Sequence, residues 1–141
     1  TSVSGMTAQR QRVNTISENI ANAETTRTPQ GGPYRRREVI LASVANDRTF
    51  EEELLSQDRS VSTSTEVKVV GIVQDERPPI LRFEPGHPDA NEEGYVEMPN
   101  VNIMEEMVNL MSANRSYEAN TAAFNATKNM VQSALDLGRN T

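Results

Sequence analysis

His87 is the only histidine in the chain, and the carboxylates Asp89, Glu92 and Glu93 follow close behind it. An imidazole beside carboxylates is the raw material of a metal site or an acid–base pair. The spacing fits no such motif, and Pro85 and Pro88 bracket the histidine, so its simplest reading is a turn residue. Cysteine is absent, which excludes disulfides, thiolate metal ligands and a thiol nucleophile. A serine–histidine–aspartate set centred on a turn histidine is not credible, and no phosphate-cradling glycine pattern occurs. Arg35-Arg36-Arg37 has the chemistry to bind phosphate, but in an acidic chain a lone basic triplet reads as a solvated strand edge or a set of partner contacts. Glu51-Glu52-Glu53 reads as a solvated charge run. Met98, Met104, Met107 and Met111 look like adaptable packing surface rather than a cofactor box. No catalytic, metal or cofactor-binding residue is assigned, and an enzyme is not expected.

Composition points the same way. The 141 residues allow one domain or two small ones, and 35% hydrophobic residues with no Trp is lean for a self-sufficient core. With 14 Lys+Arg against 20 Asp+Glu, the net charge of −6 argues against a nucleic-acid partner. No apolar run approaches the ~20 residues of a membrane span. The chain opens on Thr1 with a pattern that reads as the inside of a helix, and residues preceding it are expected.

If this chain acts, it acts through surfaces, and its helices must build them. All seven Pro lie between Pro29 and Pro99, and five of the seven Gly between Gly31 and Gly94. This partition predicts a helix, an irregular β-rich middle and a second helix. Residues 101–138 read as one helix of roughly 55 Å, with Asn102 as N-cap, Glu105 in capping-box position and Gly138 as its stop. Ile103, Leu110, Tyr117, Phe124 and Val131 recur every seven residues, the repeat of a supercoil seam. The companion row, Met107, Asn114, Thr121, Lys128 and Leu135, is apolar only at its ends. Such a seam is poor for an isolated coiled coil and suits a helix that packs tightly inside something larger. An ordinary amphipathic helix in a globular core is the bland alternative. Residues 5–23 read as the first helix, with Met6, Val13, Ile16 and Ile20 on one stripe and Val3 extending it past Gly5. Asn19 and Asn22 lower its intrinsic propensity, so packing must make up the difference. The sequons at Asn114 and Asn125 fall mid-helix and read as chance matches.

The middle reads as a linker over 24–33, a strand around Val39–Leu41, and a flexible loop over 45–65 with at most one helical turn at 50–55. Strands then follow at 66–74, 80–83 and 95–98, with Gly71 marking a bulge or close backbone approach. The expected fold class is α+β. Paired, coiled-coil-like terminal helices (1–27 and 100–141) form one discontinuous tube-building unit, and the β-rich 28–99 forms an outer one. Expected helix-packing or inter-subunit residues are Met6, Val13, Ile16, Asn19, Ile20, Asn22, Ile103, Met107, Leu110, Met111, Tyr117, Phe124, Val131 and Leu135.

The pieces also resemble a known family. Asn19-Ile20-Ala21-Asn22-Ala23-Glu24-Thr25 is similar to the N-terminal signature of bacterial flagellar rod and hook proteins. Gly32-Pro33-Tyr34-Arg35-Arg36, residues 85–91 (PGHPDAN), 95–101 (YVEMPNV) and 107–120 (MVNLMSANRSYEAN) resemble the C-type branch of the flagella basal body rod protein family. Coverage runs from Thr1 to Arg139, though the 45–65 loop carries no likeness and the family begins with a further helical stretch. The resemblance implies a structural subunit of the proximal rod, exported by the flagellar type III apparatus without signal cleavage and assembled in the periplasm to carry torque to the hook. It implies contacts with copies of itself, with other rod subunits and with the adaptor between export gate and rod. Another rod- or hook-type axial protein, a secreted coiled-coil adaptor, and a small hydrolase centred on His87 are the competing readings.

Overall fold

The computed structural model describes residues 2–45 and 65–139. The body of the expected 45–65 loop, with its helical turn and the Glu51–Glu53 run, lies outside them. Among the described residues two helices and four strands appear in the order α1 (Ser2–Ala21), β1 (Arg37–Ala45), β2 (Thr65–Gln74), β3 (Ile80–Phe83), β4 (Tyr95–Met98) and α2 (Ile103–Arg139). The class is α+β.

Each helix has a local reason to begin or end where it does. The Asn102 side-chain oxygen accepts from the backbone N–H of Met104 at 3.1 Å and of Glu105 at 3.4 Å, an N-cap for α2. Glu105 and Glu106 then occupy the first turn, where carboxylates favour the helix dipole. At the end of α1, the Glu18 carbonyl accepts both the Asn22 backbone N–H at 3.0 Å and the Asn22 Nδ2 at 2.9 Å, a local side-chain bond to the last turn. Two expectations are corrected. α1 starts at Ser2, ahead of the predicted 5, and ends at Ala21. Gly138 lies inside α2 rather than ending it.

The helices run antiparallel. Asn19 meets Glu106 near one end, and Gly5 and Met6 meet Asn120 and Thr121 near the other. A Cβ on Gly5 would stand 3.1 Å from Asn120 Nδ2, so the absence of a side chain there lets α2 come close. α1 is about 30 Å long and α2 about 55 Å, so α2 extends well past its partner.

β1 and β2 form an antiparallel ladder that packs on α1. Its register slips between Ile40 and Leu41, which face Gly71 and Val69, leaving Val70 as the extra residue of a bulge. β3 and β4 pair Ile80 with Met98 through Phe83 with Tyr95, and these two rings meet edge-on at 5.3 Å. Gly94, at φ +82°, closes the turn between them. The two ladders are separate sheets and do not join. Two-stranded sheets are marginal alone and depend on what they pack against. The buried apolar set is correspondingly small: Ala8, Ile16, Ala23, Tyr34, Val96 and Ala113.

Candidate assembly interface

At the centre of the molecule is a polar clasp. Asn19 is fully buried, and all four of its amide hydrogen-bonding positions are used. Its Nδ2 donates to the Arg37 carbonyl at 2.8 Å and to Glu106 Oε2 at 3.0 Å. Its Oδ1 accepts from the Arg37 N–H and from the Tyr34 hydroxyl, both at 2.9 Å. The side-chain amide thus pairs with both backbone groups of Arg37 as a neighbouring strand would, and seats the start of β1 on α1. Glu106 is 1% exposed; its other oxygen accepts from Arg36 Nε at 2.8 Å. Arg36 also reaches Glu38 at 3.2 Å. Burial opposes the charge on Arg36, but the hydrogen bond to Glu106 and the surrounding carboxylates outweigh it and raise its pKa. Burial likewise raises the Tyr34 pKa, against the Arg37 guanidinium 5.9 Å from the ring. One residue of each helix, the first residue of β1 and two residues just before that strand are locked into a single network.

The clasp also fixes which face of α2 meets α1. Glu106 and Ala113 are buried, and Asn120 is half-buried beside Gly5. This row recurs every seven residues, but it is small and polar, not the apolar row singled out by periodicity. Of the apolar row, Leu110 is half-buried, while Ile103, Tyr117, Phe124 and Val131 are 39% to 56% exposed. Met107, Met111 and Leu135 are exposed as well. At about 100° per residue, Met104 and Met111 lie on the side of α2 away from α1. The sites on α1 go the other way. Ile16 and Asn19 are buried, and Met6, Val13, Ile20 and Asn22 are half-buried. Met6 Sδ accepts from the Thr121 hydroxyl at 3.4 Å, and Asn22 Oδ1 accepts from Thr25 at 3.1 Å. The candidate residues therefore split: those on α1 hold the chain together, and those on α2 are mostly open to solvent.

Glu106, Arg36 and Tyr34 were missed by sequence reasoning. A carboxylate in a first helical turn reads as a dipole partner in water, and an arginine triplet as surface. Arg36 belongs to neither expected class: it is held inside the chain. Arg37 bonds Glu18 at 3.4 Å. His87 sits where a turn residue should: its Nδ1 accepts from the Asp89 N–H at 3.1 Å, while the Asp89 carboxylate takes Thr26 at 2.8 Å and Arg27 at 3.7 Å. Among the described residues no group of His, Asp or Glu could hold a metal ion, and no helix is long and apolar enough to cross a membrane. A polar cleft of about 440 Å³ opens beside the clasp, between Arg12 and Ile16 of α1, Arg37 and Val39 of β1, and Glu105 and Asn109 of α2.

Comparison with known proteins bears on both halves of this interface. Residues 1–27 match a family described as flagella basal body rod protein, and residues 92–137 one described as flagellar basal body rod FlgEFG protein C-terminal. A flagellar basal-body rod protein FlgC of Bacillus subtilis is 46% identical, covering 98% of this chain and 94% of its own. The FlgC protein of Borreliella burgdorferi is 44% identical over 93% of this chain and 89% of its own. That of Salmonella typhimurium is 38% identical over 96% and 92%. The two family-matched segments contain α1 and all but the last two residues of α2, and with them Asn19 and Glu106, while Tyr34, Arg36 and Arg37 lie between them.

Proposed function

We propose a role from one premise: the chain belongs to the flagellar basal-body rod protein family. It is a structural protein, not an enzyme, and its role is that of a subunit of the proximal rod, part of the shaft that carries torque toward the hook. The observation that carries this reading is the apolar row of α2, Ile103 through Val131, which is exposed at every position but the half-buried Leu110. A row every seven residues presents one continuous stripe to neighbours lying alongside. A contact of this kind, repeated by rotation and rise, grows a tube instead of closing a dimer. The helix pairs form its wall as a coiled-coil-like bundle, and the β ladders lie outside. The chain travels through the type III export apparatus, is built into the rod in the periplasm, and touches copies of itself, other rod subunits and the adaptor at the export gate. Torque needs dispersed contacts of this type and no reactive group.

The test is Phe124→Asp. Phe124 is 43% exposed, so a charge there leaves the isolated chain folded but places an unpaired carboxylate in the inter-subunit seam. Cells carrying only this variant should export it, lack complete rods in purified basal bodies and be non-motile. Normal rods and swimming would overturn the proposal.

A further inference from the structure

The seam between the helices is permissive, which raises the question of what holds α1 in one place. On α2 the α1-facing row continues as Glu106, Ala113, Asn120, Thr127 and Ala134. α1 offers Asn19 and Gly5 to it, opposite Glu106 and Asn120. Slid by seven residues toward the end of α2, Asn19 would face Ala113 and Gly5 would face Thr127. Slid by fourteen, they would face Asn120 and Ala134. In that row neither position sets a bulky side chain against Asn19 or Gly5; beside it, Met6 would exchange Thr121 for Lys128 or Leu135, both exposed long side chains. Room to slide exists, because residues 122–139 of α2 are exposed. The β1–β2 ladder packs on α1 and would travel with it.

Only position 106 in that row carries a carboxylate. Asn19, from α1, and Arg36, at the foot of β1, both end on it, at 3.0 Å and 2.8 Å. We propose that Glu106 is the register key of the molecule: it selects one of several seven-residue alignments that the small-residue seam would accept, and so sets where the β ladder stands along α2. A single buried polar position fixes alignment in helical pairs by the same logic, since every shifted alignment strands it.

The test moves the key. The chain has no cysteine, so spin labels can be attached cleanly at Ser17→Cys and Asp136→Cys, both exposed in the structure. Ser17 is level with about residue 108 of α2, an axial separation from Asp136 of about 42 Å. In the full-length chain, pulsed electron resonance should give one narrow distance. Combining Glu106→Ala with Ala113→Glu relocates the carboxylate by one repeat and should shorten that distance by about 10 Å. Removing the key from both sides, with Asn19→Leu and Glu106→Leu, should give several distances about 10 Å apart at preserved helix content. The proposal fails if the relocated key leaves the distance unchanged, if the keyless variant keeps a single native distance, or if the unsubstituted chain already shows several. It also fails if both variants lose their helical circular dichroism, because the pair would then be holding up the fold rather than choosing its alignment.

Discussion

Glu106→Ala takes the acceptor from two donors at once. Arg36 is left with Glu38 at 3.2 Å, and its side chain is 16% exposed, so part of its charge can turn toward water. Asn19 is left with one amide hydrogen unpaired in a site with no solvent access. Breaking a buried ion pair from one side costs roughly 3–5 kcal/mol, and stranding a buried donor about 1–3 kcal/mol. The two overlap, because one carboxylate serves both donors, and the partial escape of Arg36 lowers the first. A net loss of about 3 kcal/mol is expected, a large share of the 5–15 kcal/mol typical of a domain. Glu106→Gln keeps the shape and one acceptor and should cost about half as much. Urea unfolding followed by helical circular dichroism reads the difference. With a slope of about 1–3 kcal/mol per molar, the Ala variant should unfold at least about 1 M earlier. An Ala variant within about 0.5 kcal/mol of the unsubstituted chain, or a Gln variant as damaging as Ala, would refute the reasoning.

Gly94→Ala should lower the melting temperature clearly, by about 1–3 kcal/mol of stability: its φ is +82°, and a Cβ would stand 3.0 Å from Phe83 Cε2 and 3.1 Å from Pro85 Cβ. Gly5→Leu should separate the helices where Gly5→Ala does not, because the nearest obstacle is the movable amide of Asn120 at 3.1 Å; thermal melts of the two variants distinguish them. Leu110→Asp should damage both folding and assembly, unlike Phe124→Asp, since Leu110 is half-buried; circular dichroism beside basal-body purification separates the effects. The Arg77 side-chain hydrogen bond holds the Asp75 carboxyl down from 3.8 to about 2. A carboxyl depressed on folding stabilises the protein above its unfolded pKa and loses that contribution as pH falls through the folded one. A small, salt-sensitive part of the stability should therefore vanish between pH 3.8 and about 2, and Arg77→Ala should remove that pH dependence; identical acid-unfolding curves would contradict it.

The elements were legible because their punctuation is local. Proline and glycine crowd into the middle of the chain, and β-branched runs mark β1 and β2. The bulge beside Gly71 was legible for the same reason. The helix seam was not. Periodicity counts apolar side chains, so it found Ile103, Leu110, Tyr117, Phe124 and Val131. It passed over Glu106, Ala113 and Asn120, the row α1 covers. A buried glutamate becomes readable only once its partners are known, and Asn19 and Arg36 lie 87 and 70 residues away in sequence. The same gap explains Arg36, which composition assigned to the surface. The α2 row, by contrast, was recognised as a poor seam for an isolated pair, and most of it stands open in the chain.

The fit around Asn19 has a bearing on chemical ageing. Its amide nitrogen faces two oxygens, at 2.8 Å and 3.0 Å. Slow hydrolysis of that one amide would replace a donor with a carboxylate, setting two negative groups against each other where a bond had been and leaving the Arg37 carbonyl unmatched. The usual route to such damage needs the next backbone nitrogen to fold back onto the side chain. Here that nitrogen belongs to Ile20, branched at Cβ and fixed in a helical turn. The residue whose decay would do most harm sits in a conformation that slows that decay.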